Sequence, residues 1–489
     1  MQDLHWTDGR VPVQVCANAI GQRMRPMMMH DIRREEDSLG PMDLPRTCLW
    51  GIHTQRAIEN FPISGLPLST FPEFIRALAW VKKAAARANL ALGVLSAEKA
   101  RVIEEVCDEI AAGRWHEAFR VDMIQGGAGT STNMNANEVI ANLGLLKMGH
   151  RAGDYAHLHP NDDVNRSQST NDVYPTAMRL AIVSQCEAFR AAQSRLADAF
   201  GERAVAFAQV RKIGRTQLQD AVPMTLGQEF AGFAVTIRED VEIIGRLSNL
   251  LLEVNLGGTA IGTRVNTPDG YAEAAVAELA LVTGLPVKLA GDLIEASSDC
   301  GAYVTFSGVL KRIAVKLSKI CNDLRLLSSG PRSGFNEIRL PAVQAGSSIM
   351  PGKINPVIPE VVNQVAFQVI GNDLTVTMAA EAGQLQLNAF EPVIVLNVLQ
   401  SMRILMQAMD TLATRCVAGI EANVAQCEGA LENSLVLATM LVPHIGYAKA
   451  ASVAKLALAE GASVAATVVK LGYADEAGAA AMLADLPAG

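Results

Sequence analysis

The spacing of prolines in the middle of the chain is the feature that most limits its fold. Proline is favoured in the first turn of a helix and costs about 3 kcal/mol in its interior, so a proline followed by a long proline-free run predicts one long helix. Five such runs follow one another: Pro175 to Val222, Pro223 to Thr267, Pro286 to Gly330, Pro359 to Glu391, and onward from Pro392. Each run predicts a long helix that tolerates a break near its end.

The segment from Ala302 to Leu327 has the clearest helical pattern. Its aliphatic residues alternate spacings of three and four: Leu310, Ile313, Leu317, Ile320, Leu324 and Leu327. Such a narrow apolar seam is typical of a helix in a packed bundle. Five helices of this kind predict an all-α protein with an elongated central five-helix bundle, flanked by smaller helical N- and C-terminal domains.

Domain boundaries follow from where the helical pattern starts and stops. Residues 1–28 lack core periodicity and are expected to be a disordered extension or the product of a wrongly assigned start. Residues 29–168 are assigned to an N-terminal domain, 169–423 to the central bundle, and 424–489 to a small helical C-terminal domain. The segment from Thr259 to Leu289 is rich in Gly, Pro and Thr, and it is expected to connect two bundle helices.

The composition limits the kinds of partner that the chain is expected to bind. Half of the 489 residues are hydrophobic but only 5% are aromatic, which suggests aliphatic surface buried between subunits. The net charge of −8, without a basic run, argues against nucleic acid, and no long apolar stretch predicts a membrane span. The eight cysteines form no CxxC pair and no cluster of zinc-site spacing, so free thiols in a reducing cytoplasm are expected.

Two polar patches precede the first long helix. The first, GGAGTSTNMN at 126–135, offers approachable backbone amides and the hydroxyl of Thr130. The second, HPNDDVNRSQSTND at 159–172, ends in Ser169, Thr170 and Asn171. Either patch could simply cap a helix, but the positive end of a helix also suits a substrate carboxylate.

A third patch, GSSIMPGKINP at 346–356, is the most specific of the three. Its glycines bracket the pair Ser347 and Ser348, and Lys353 and Asn355 follow at six and eight residues past the first serine. A mobile loop that carries a base, with a cation behind it, suits removal of a proton beside a carboxylate. An ordinary flexible surface loop is the alternative.

These patches resemble the aspartase/fumarase superfamily, and the third matches its signature loop. The resemblance extends from REED at 34–37 to PHIGY at 443–447. Within the superfamily the greatest likeness is to the aspartate ammonia-lyases, through GRTQLQDAVPMTLGQEF at 214–230 and VVNQV at 361–365. The resemblance implies a cytoplasmic homotetramer that eliminates ammonia from L-aspartate to give fumarate.

The resemblance also implies the roles of individual residues. Ser347 would remove the proton. Thr130, Ser169, Thr170 and Ser348 would hold the β-carboxylate, Thr216, Lys353 and Asn355 the α-carboxylate, and Asn171 the amino group. No cofactor is expected and no metal-ligand spacing is evident, although divalent cations activate some members of the family.

Two other functions remain open from the sequence. Class II fumarases share most of these residues but usually have a histidine where this chain has Gln217, paired with a glutamate that matches Glu360. Glutamine cannot titrate, which weakens the hydratase hypothesis without excluding it. A non-enzymatic helical scaffold is the second alternative, and the joint presence of Ser347, Lys353 and Asn355 argues against it.

Overall fold

The computed structural model describes residues 32–484, and helices dominate that range, as the sequence predicts. The expected extension at residues 1–28 lies outside the described residues. An antiparallel hairpin of β1 (Ile32–Asp37) and β2 (Gly40–Pro45) comes first. The helices that follow are α1 (Ile52–Asn60), α2 (Pro72–Ala91), α3 (Ala97–Ala111) and α4 (Thr130–Lys147).

The bundle helices come next in the chain. They are α5 (Thr170–Ala206), α6 (Leu226–Leu247), α8 (Gly301–Leu327), α9 (Val357–Glu381) and α10 (Glu391–Arg415); the shorter α7 (Tyr271–Thr283), between α6 and α8 in the chain, packs on α2. Within the described range, five of these six have more than 20 residues, so the predicted five-helix bundle is confirmed. At a rise of about 1.5 Å per residue, the 37 residues of α5 span about 55 Å.

Cross-helix contacts define the directions of the bundle helices. Tyr303, near the start of α8, donates a hydrogen bond to the carbonyl of Pro175 near the start of α5. Arg312 of α8 pairs with Asp240 of α6. Lys319, further along α8, lies over the Phe233 ring, earlier in α6, so these helices are antiparallel. We call the end of the bundle that contains Thr170 the first end, and the end that contains Ala206 the second end.

The apolar seam on α8 lies in the core. All six aliphatic residues of the predicted seam are at most 5% exposed. Lys311 and Lys319, which fall off the seam, are exposed and pair with Asp373 and Asp323. Burial of one face at helical spacing is what stabilises a bundle helix of this length.

Short strands occupy places where the proline-free runs predicted helix. β3 (Arg211–Thr216) and β4 (Gln219–Thr225) form a hairpin between α5 and α6, so the first long helix ends well before Val222. The predicted connection from Thr259 to Leu289 contains α7. Two-residue pairings complete the strands: β5 (Glu253–Val254) with β6 (Lys288–Leu289), and β7 (Ile338–Arg339) with β8 (Glu421–Ala422).

The last described helices build a second, smaller core. They are α11 (Val424–Glu432), α12 (Val442–Ile445), α13 (Tyr447–Glu460), α14 (Val464–Lys470) and α15 (Glu476–Ala484). Leu441, Val453 and Val468 are fully buried in this core, and Ile213 of β3 packs into it. The hairpin at the second end of the bundle is therefore held by the C-terminal helices. The three boundaries between the four predicted segments stay predictions.

Among the described residues, one unbroken helix is long and apolar enough to cross a membrane. This helix is Glu391–Gly419, and 67% of its most apolar 18-residue stretch is buried inside the described structure. Arg195 of α5 forms an ion pair with Asp410 on this helix. Burial of this extent is typical of the central helix of a bundle.

Candidate active site

The first polar patch forms the loop before α4 and the first turns of α4 itself. Gly129 has a φ of 85°, and a Cβ there would lie 2.2 Å from the ring of Tyr174, one turn into α5. Only glycine permits this approach, which places the N-termini of α4 and α5 side by side. Thr130 begins α4, and its hydroxyl donates to the carbonyl of Gly127 at 2.7 Å. The Thr130 proton is thus bound to backbone in this structure.

The second patch caps α5. Ser169 is the N-cap residue: its Oγ accepts a hydrogen bond from the N–H of Asn171, and its own N–H donates to Asp172. This reciprocal pair is a capping box. Because the Oγ of Ser169 accepts from backbone, its hydroxyl proton is available to donate to a ligand.

Thr170 is held by a network of buried amides. Asn133 donates from Nδ2 to the Oγ1 of Thr170 at 3.1 Å and to the Oδ1 of Asn165 at 3.1 Å. Lys82 donates from Nζ to the same Asn165 oxygen at 3.0 Å and to Gln168 at 2.9 Å. The network makes Thr170 an acceptor on the protein side, so its proton can point to a ligand carboxylate.

Two ionisable groups beneath this network are fully buried. Burial lowers the pKa of Lys82 to about 7, with the charge of Asp172 opposing the shift. Burial raises the pKa of Asp172 to about 6, although N–H groups of Ser169, Thr259 and Gly257 hydrogen-bond its carboxylate. Lys82 was not predicted as a site residue. Its one signal in the sequence is its position four residues after Leu78 and four before Ala86, on the apolar face of α2.

Asn171 has a fixed amide orientation. Its Nδ2 donates to the carbonyl of Ala260 at 2.8 Å. The free acceptor of the side chain is therefore Oδ1, which suits an ammonium group. The loop with Ala260 belongs to the connection between α6 and α7, and no residue of this connection was predicted to lie in the site.

Thr216 and Gln217 lie at the tip of the β3–β4 hairpin, at the second end of the bundle. Gln217 and Leu218 have φ values of 54° and 61°, a left-handed conformation that costs energy in residues other than glycine. The hairpin is anchored by a buried ion pair between Lys212 and Glu337, 2.7 Å apart. The anchor keeps the strained turn in place and connects it to the segment before the serine loop.

The third patch is an exposed loop that curls around Ser347. The Oγ of Ser347 accepts hydrogen bonds from the N–H groups of Ile349 at 3.2 Å and Met350 at 3.0 Å. A Cβ on Gly346 would lie 2.2 Å from the carbonyl oxygen of Lys353, so the loop requires glycine there. The loop borders an open pocket of about 440 Å³ that Ser347 and Lys353 line. Two amide donors aimed at one oxygen stabilise its anionic form.

The remaining predicted residues of this loop differ in their contacts. Ser348 and Lys353 are exposed, and within residues 32–484 Lys353 forms no salt bridge. Asn355 donates from Nδ2 to the carbonyl of Gly346 at 2.5 Å, which closes the base of the loop.

The predicted site residues therefore form two groups in one chain. Thr130, Ser169, Thr170 and Asn171 meet at the first end of the bundle. Thr216 and Gln217 lie at the second end, and the loop with Ser347, Ser348, Lys353 and Asn355 joins them there, since it runs from the Arg215–Glu337 ion pair to the start of α9 beside the later part of α8. The length of α5 separates the groups by about 55 Å. A single chain does not bring them together.

Comparison with known proteins gives consistent matches. A family described as Lyase matches residues 40–371, and a second, the fumarase C C-terminus, matches residues 437–484. The aspartate ammonia-lyase of Pseudomonas aeruginosa is 58% identical to this chain, over 88% of this chain and 91% of its own length. The aspartate ammonia-lyase of Escherichia coli is 56% identical, over 89% of this chain and 92% of its own length.

Solved structures of the same superfamily are also similar to this chain. The fumarate lyase:delta crystallin from Brucella melitensis, bound to cobalt, is 60% identical with a TM-score of 0.91 over 92% of this chain and 98% of its own. A class II fumarase from Schistosoma mansoni is 33% identical with a TM-score of 0.86 over 92% of this chain and 98% of its own.

Proposed function

Because the chain belongs to the aspartate ammonia-lyase branch of the aspartase/fumarase superfamily, we propose that it catalyses the reversible anti elimination of ammonia from L-aspartate to give fumarate. Identities of 56% and 58% to aspartate ammonia-lyases, against 33% to a class II fumarase, favour this reaction over hydration. The observation that carries the mechanism is the pair of backbone amides that donate to the Oγ of Ser347.

The reaction needs a base and strong carboxylate binding. The Cβ proton of aspartate is a very weak acid unless the neighbouring carboxylate accepts the charge as an aci-carboxylate. We assign the base to Ser347, because the N–H groups of Ile349 and Met350 lower the cost of its alkoxide. Ammonia then leaves from the opposite face, which completes the anti elimination.

The first end of the bundle supplies a suitable carboxylate site. Ser169 and Thr170 accept hydrogen bonds from the protein and keep protons to donate, and both lie at the positive end of α5. Donors at this position stabilise the aci-carboxylate more than the starting carboxylate, because charge accumulates there. We assign the β-carboxylate to Ser169 and Thr170, to Thr130 once its hydroxyl rotates away from the carbonyl of Gly127, and to Ser348 from the serine loop of another subunit.

The second group binds the other end of the substrate. Thr216, Lys353 and Asn355 are assigned to the α-carboxylate, for which the exposed ammonium of Lys353 supplies the charge. Asn171 takes the amino group through Oδ1. Gln217 lies in the strained hairpin turn next to Thr216, and its neutral amide suits substrate binding rather than activation of water.

A site built from both groups requires several subunits, and we propose a homotetramer. The supporting observation on the surface is an apolar stripe on α9, with Phe367 at 63%, Leu374 at 61% and Met378 at 64% exposure. Ile370 lies between them at helical spacing. Such a stripe is unfavourable in water and fits packing against copies of the same bundle.

A cytoplasmic location completes the proposal. The seven cysteines within the described residues are free and buried, as in proteins from reducing compartments.

The direct test of the reaction is to incubate the purified chain with L-aspartate and, separately, with L-malate, and follow fumarate by ultraviolet absorbance. We expect turnover of L-aspartate and little of L-malate. Ser347→Ala should lower kcat by at least about a hundredfold without changing folding or assembly, while Ser452→Ala, an exposed serine of α13, serves as the control. An active Ser347→Ala enzyme would remove Ser347 from the role of base.

The shared site has its own test. Thr170→Ala and Ser347→Ala chains, each inactive, are unfolded together and refolded as a mixture. Hybrid assemblies contain some sites that draw Thr170 and Ser347 from intact chains, so part of the activity should return. No recovery at any mixing ratio, with both parents correctly assembled, would place the whole site in one chain.

A further inference from the structure

The turn after α4 brings two imidazoles and one carboxylate together, far from the candidate active site. His150 Nδ1 and His157 Nε2 each lie 3.8 Å from Asp154 Oδ2. The two rings stack with centroids 3.7 Å apart and 9° between their planes. The three donor atoms all lie within 4.8 Å of one another, and residues 32–484 contain no second group of this kind.

The turn is fixed on both sides of Asp154. The N–H of Gly153 donates to Oδ1 of Asn142 at 2.7 Å. On the other side, the hydroxyl of Tyr155 donates to the carboxylate of Glu35 at 3.1 Å. Because both neighbours are tied to partners in other elements, Asp154 has little backbone freedom. The carboxylate is thus held beside the rings before any ligand binds.

The chemistry of this cluster matches a cation. We propose that His150, Asp154 and His157 bind a divalent transition-metal ion such as Zn²⁺ or Co²⁺. Imidazole and carboxylate are common ligands of these ions, at about 2.0–2.2 Å. Because the two rings lie in nearly parallel planes, at least one ring must rotate about its side-chain bonds so that both nitrogen lone pairs point at the same ion. The cluster follows the negative C-terminal end of α4, which also favours a cation.

Partial exposure leaves room for further ligands. The side chains of His150, Asp154 and His157 are 31%, 45% and 48% exposed. Water can therefore complete a tetrahedral or larger coordination shell. The bound ion would join the two ends of the turn, and its effect would be on the stability of that turn.

The ion would not touch the substrate. The 18 residues of α4 span about 27 Å, with Thr130 at one end and this turn after the other. No metal site could be predicted from the sequence here, because spacings of four and three residues in a turn match no common zinc motif.

The test is metal binding to the full chain without an affinity tag, after treatment with a chelator. Titration with Zn²⁺ by calorimetry, together with metal analysis, should give one site per chain. His150→Ala and His157→Ala should weaken binding at least about tenfold, and Asp154→Asn tests the carboxylate without changing shape. His444→Ala, an exposed histidine on α12, is the matched control and should bind like wild type.

Further readouts separate this site from other sources of binding. Co²⁺ should develop visible ligand-field bands that the two histidine variants lose, and Mg²⁺ should not compete, because it prefers oxygen ligands. Zn²⁺ should raise the Tm of the wild type and of His444→Ala but not of His157→Ala. Absence of binding, or equal affinity in wild type and all three cluster variants, would overturn the proposal. These measurements do not depend on the proposed reaction.

Discussion

Glu391 begins α10 and is the most informative position for a test of electrostatics in the core. It is 4% exposed, and its Oε2 has no hydrogen-bond partner among the described residues. Burial raises the pKa of Glu391 to about 8, and Arg179 opposes the shift. Burial also raises the pKa of nearby Tyr174, Tyr303 and Cys300, in the last case to about 12, so these groups stay neutral near pH 7.

The sign of the pH dependence follows from the raised pKa. Between the ordinary value of 4.5 and about 8, the folded chain holds a proton that the unfolded chain releases. The stability from this proton is fully present below pH 4.5 and is lost as the pH rises through about 8. At about 1.4 kcal/mol per pKa unit, the loss is at most about 5 kcal/mol.

Glu391→Gln keeps the shape of the neutral acid and removes the titration. We expect the Tm of the variant to rise relative to wild type between pH 5 and pH 9. Unfolding entropy for a chain of this length corresponds to about 1 °C per kcal/mol, so the relative gain should be about 3–5 °C. Differential scanning calorimetry across this pH range measures it, with Glu381→Gln, an exposed carboxylate at the end of α9, as the control. A Tm difference that is constant with pH would show that Glu391 is not buried as a neutral acid.

Two further variants probe the supports of the active site. Lys82→Gln removes the amine that donates to Asn165 and Gln168 beneath Thr170, and it should raise the KM for L-aspartate about tenfold, equivalent to about 1.4 kcal/mol. Lys83→Gln on the same helix should leave the KM unchanged. An equal change in KM in both variants would show that the hydrogen bonds of Lys82 do not support substrate binding. Gly346→Ala places a Cβ against the carbonyl of Lys353 and should lower kcat at least about a hundredfold. Circular dichroism checks that the variant is folded. Gly429→Ala is the control, because a Cβ at Gly429 meets open space.

The sequence predicted the bundle well because its signals are periodic and long. The α8 seam from Leu310 to Leu327 repeats over several turns, so one face of the helix must be buried wherever its partners lie. The β3–β4 hairpin and α7 were not predicted. Their signals extend over few residues, and the hairpin depends on a left-handed turn at Gln217 and Leu218, which are not typical turn residues.

The candidate site was predictable where its residues follow one another in the chain. Glycines and hydroxyls at 126–135 and 346–356 stand out from helical sequence, and so does the cap at Ser169. Lys82 did not, because its role depends on Asn133 and Asn165, which come from distant segments. The pairing of His150 with His157 depends in the same way on the path of a turn.

The long helices that make the fold also separate the two halves of the site, and this makes activity depend on assembly. Leu374 lies in the exposed apolar stripe of α9, so Leu374→Asp would bury a charge wherever that stripe packs against another subunit. The isolated chain would keep its helices, since the side chain of Leu374 is 61% exposed there. Size-exclusion chromatography with light scattering should therefore show smaller species, with helical circular dichroism unchanged and fumarate production lost. Leu458→Asp introduces the same charge at a 69% exposed position on α13 and should stay assembled and active. A Leu374→Asp chain that is monomeric and fully active would refute the shared site, because one chain would then contain every group that the reaction needs.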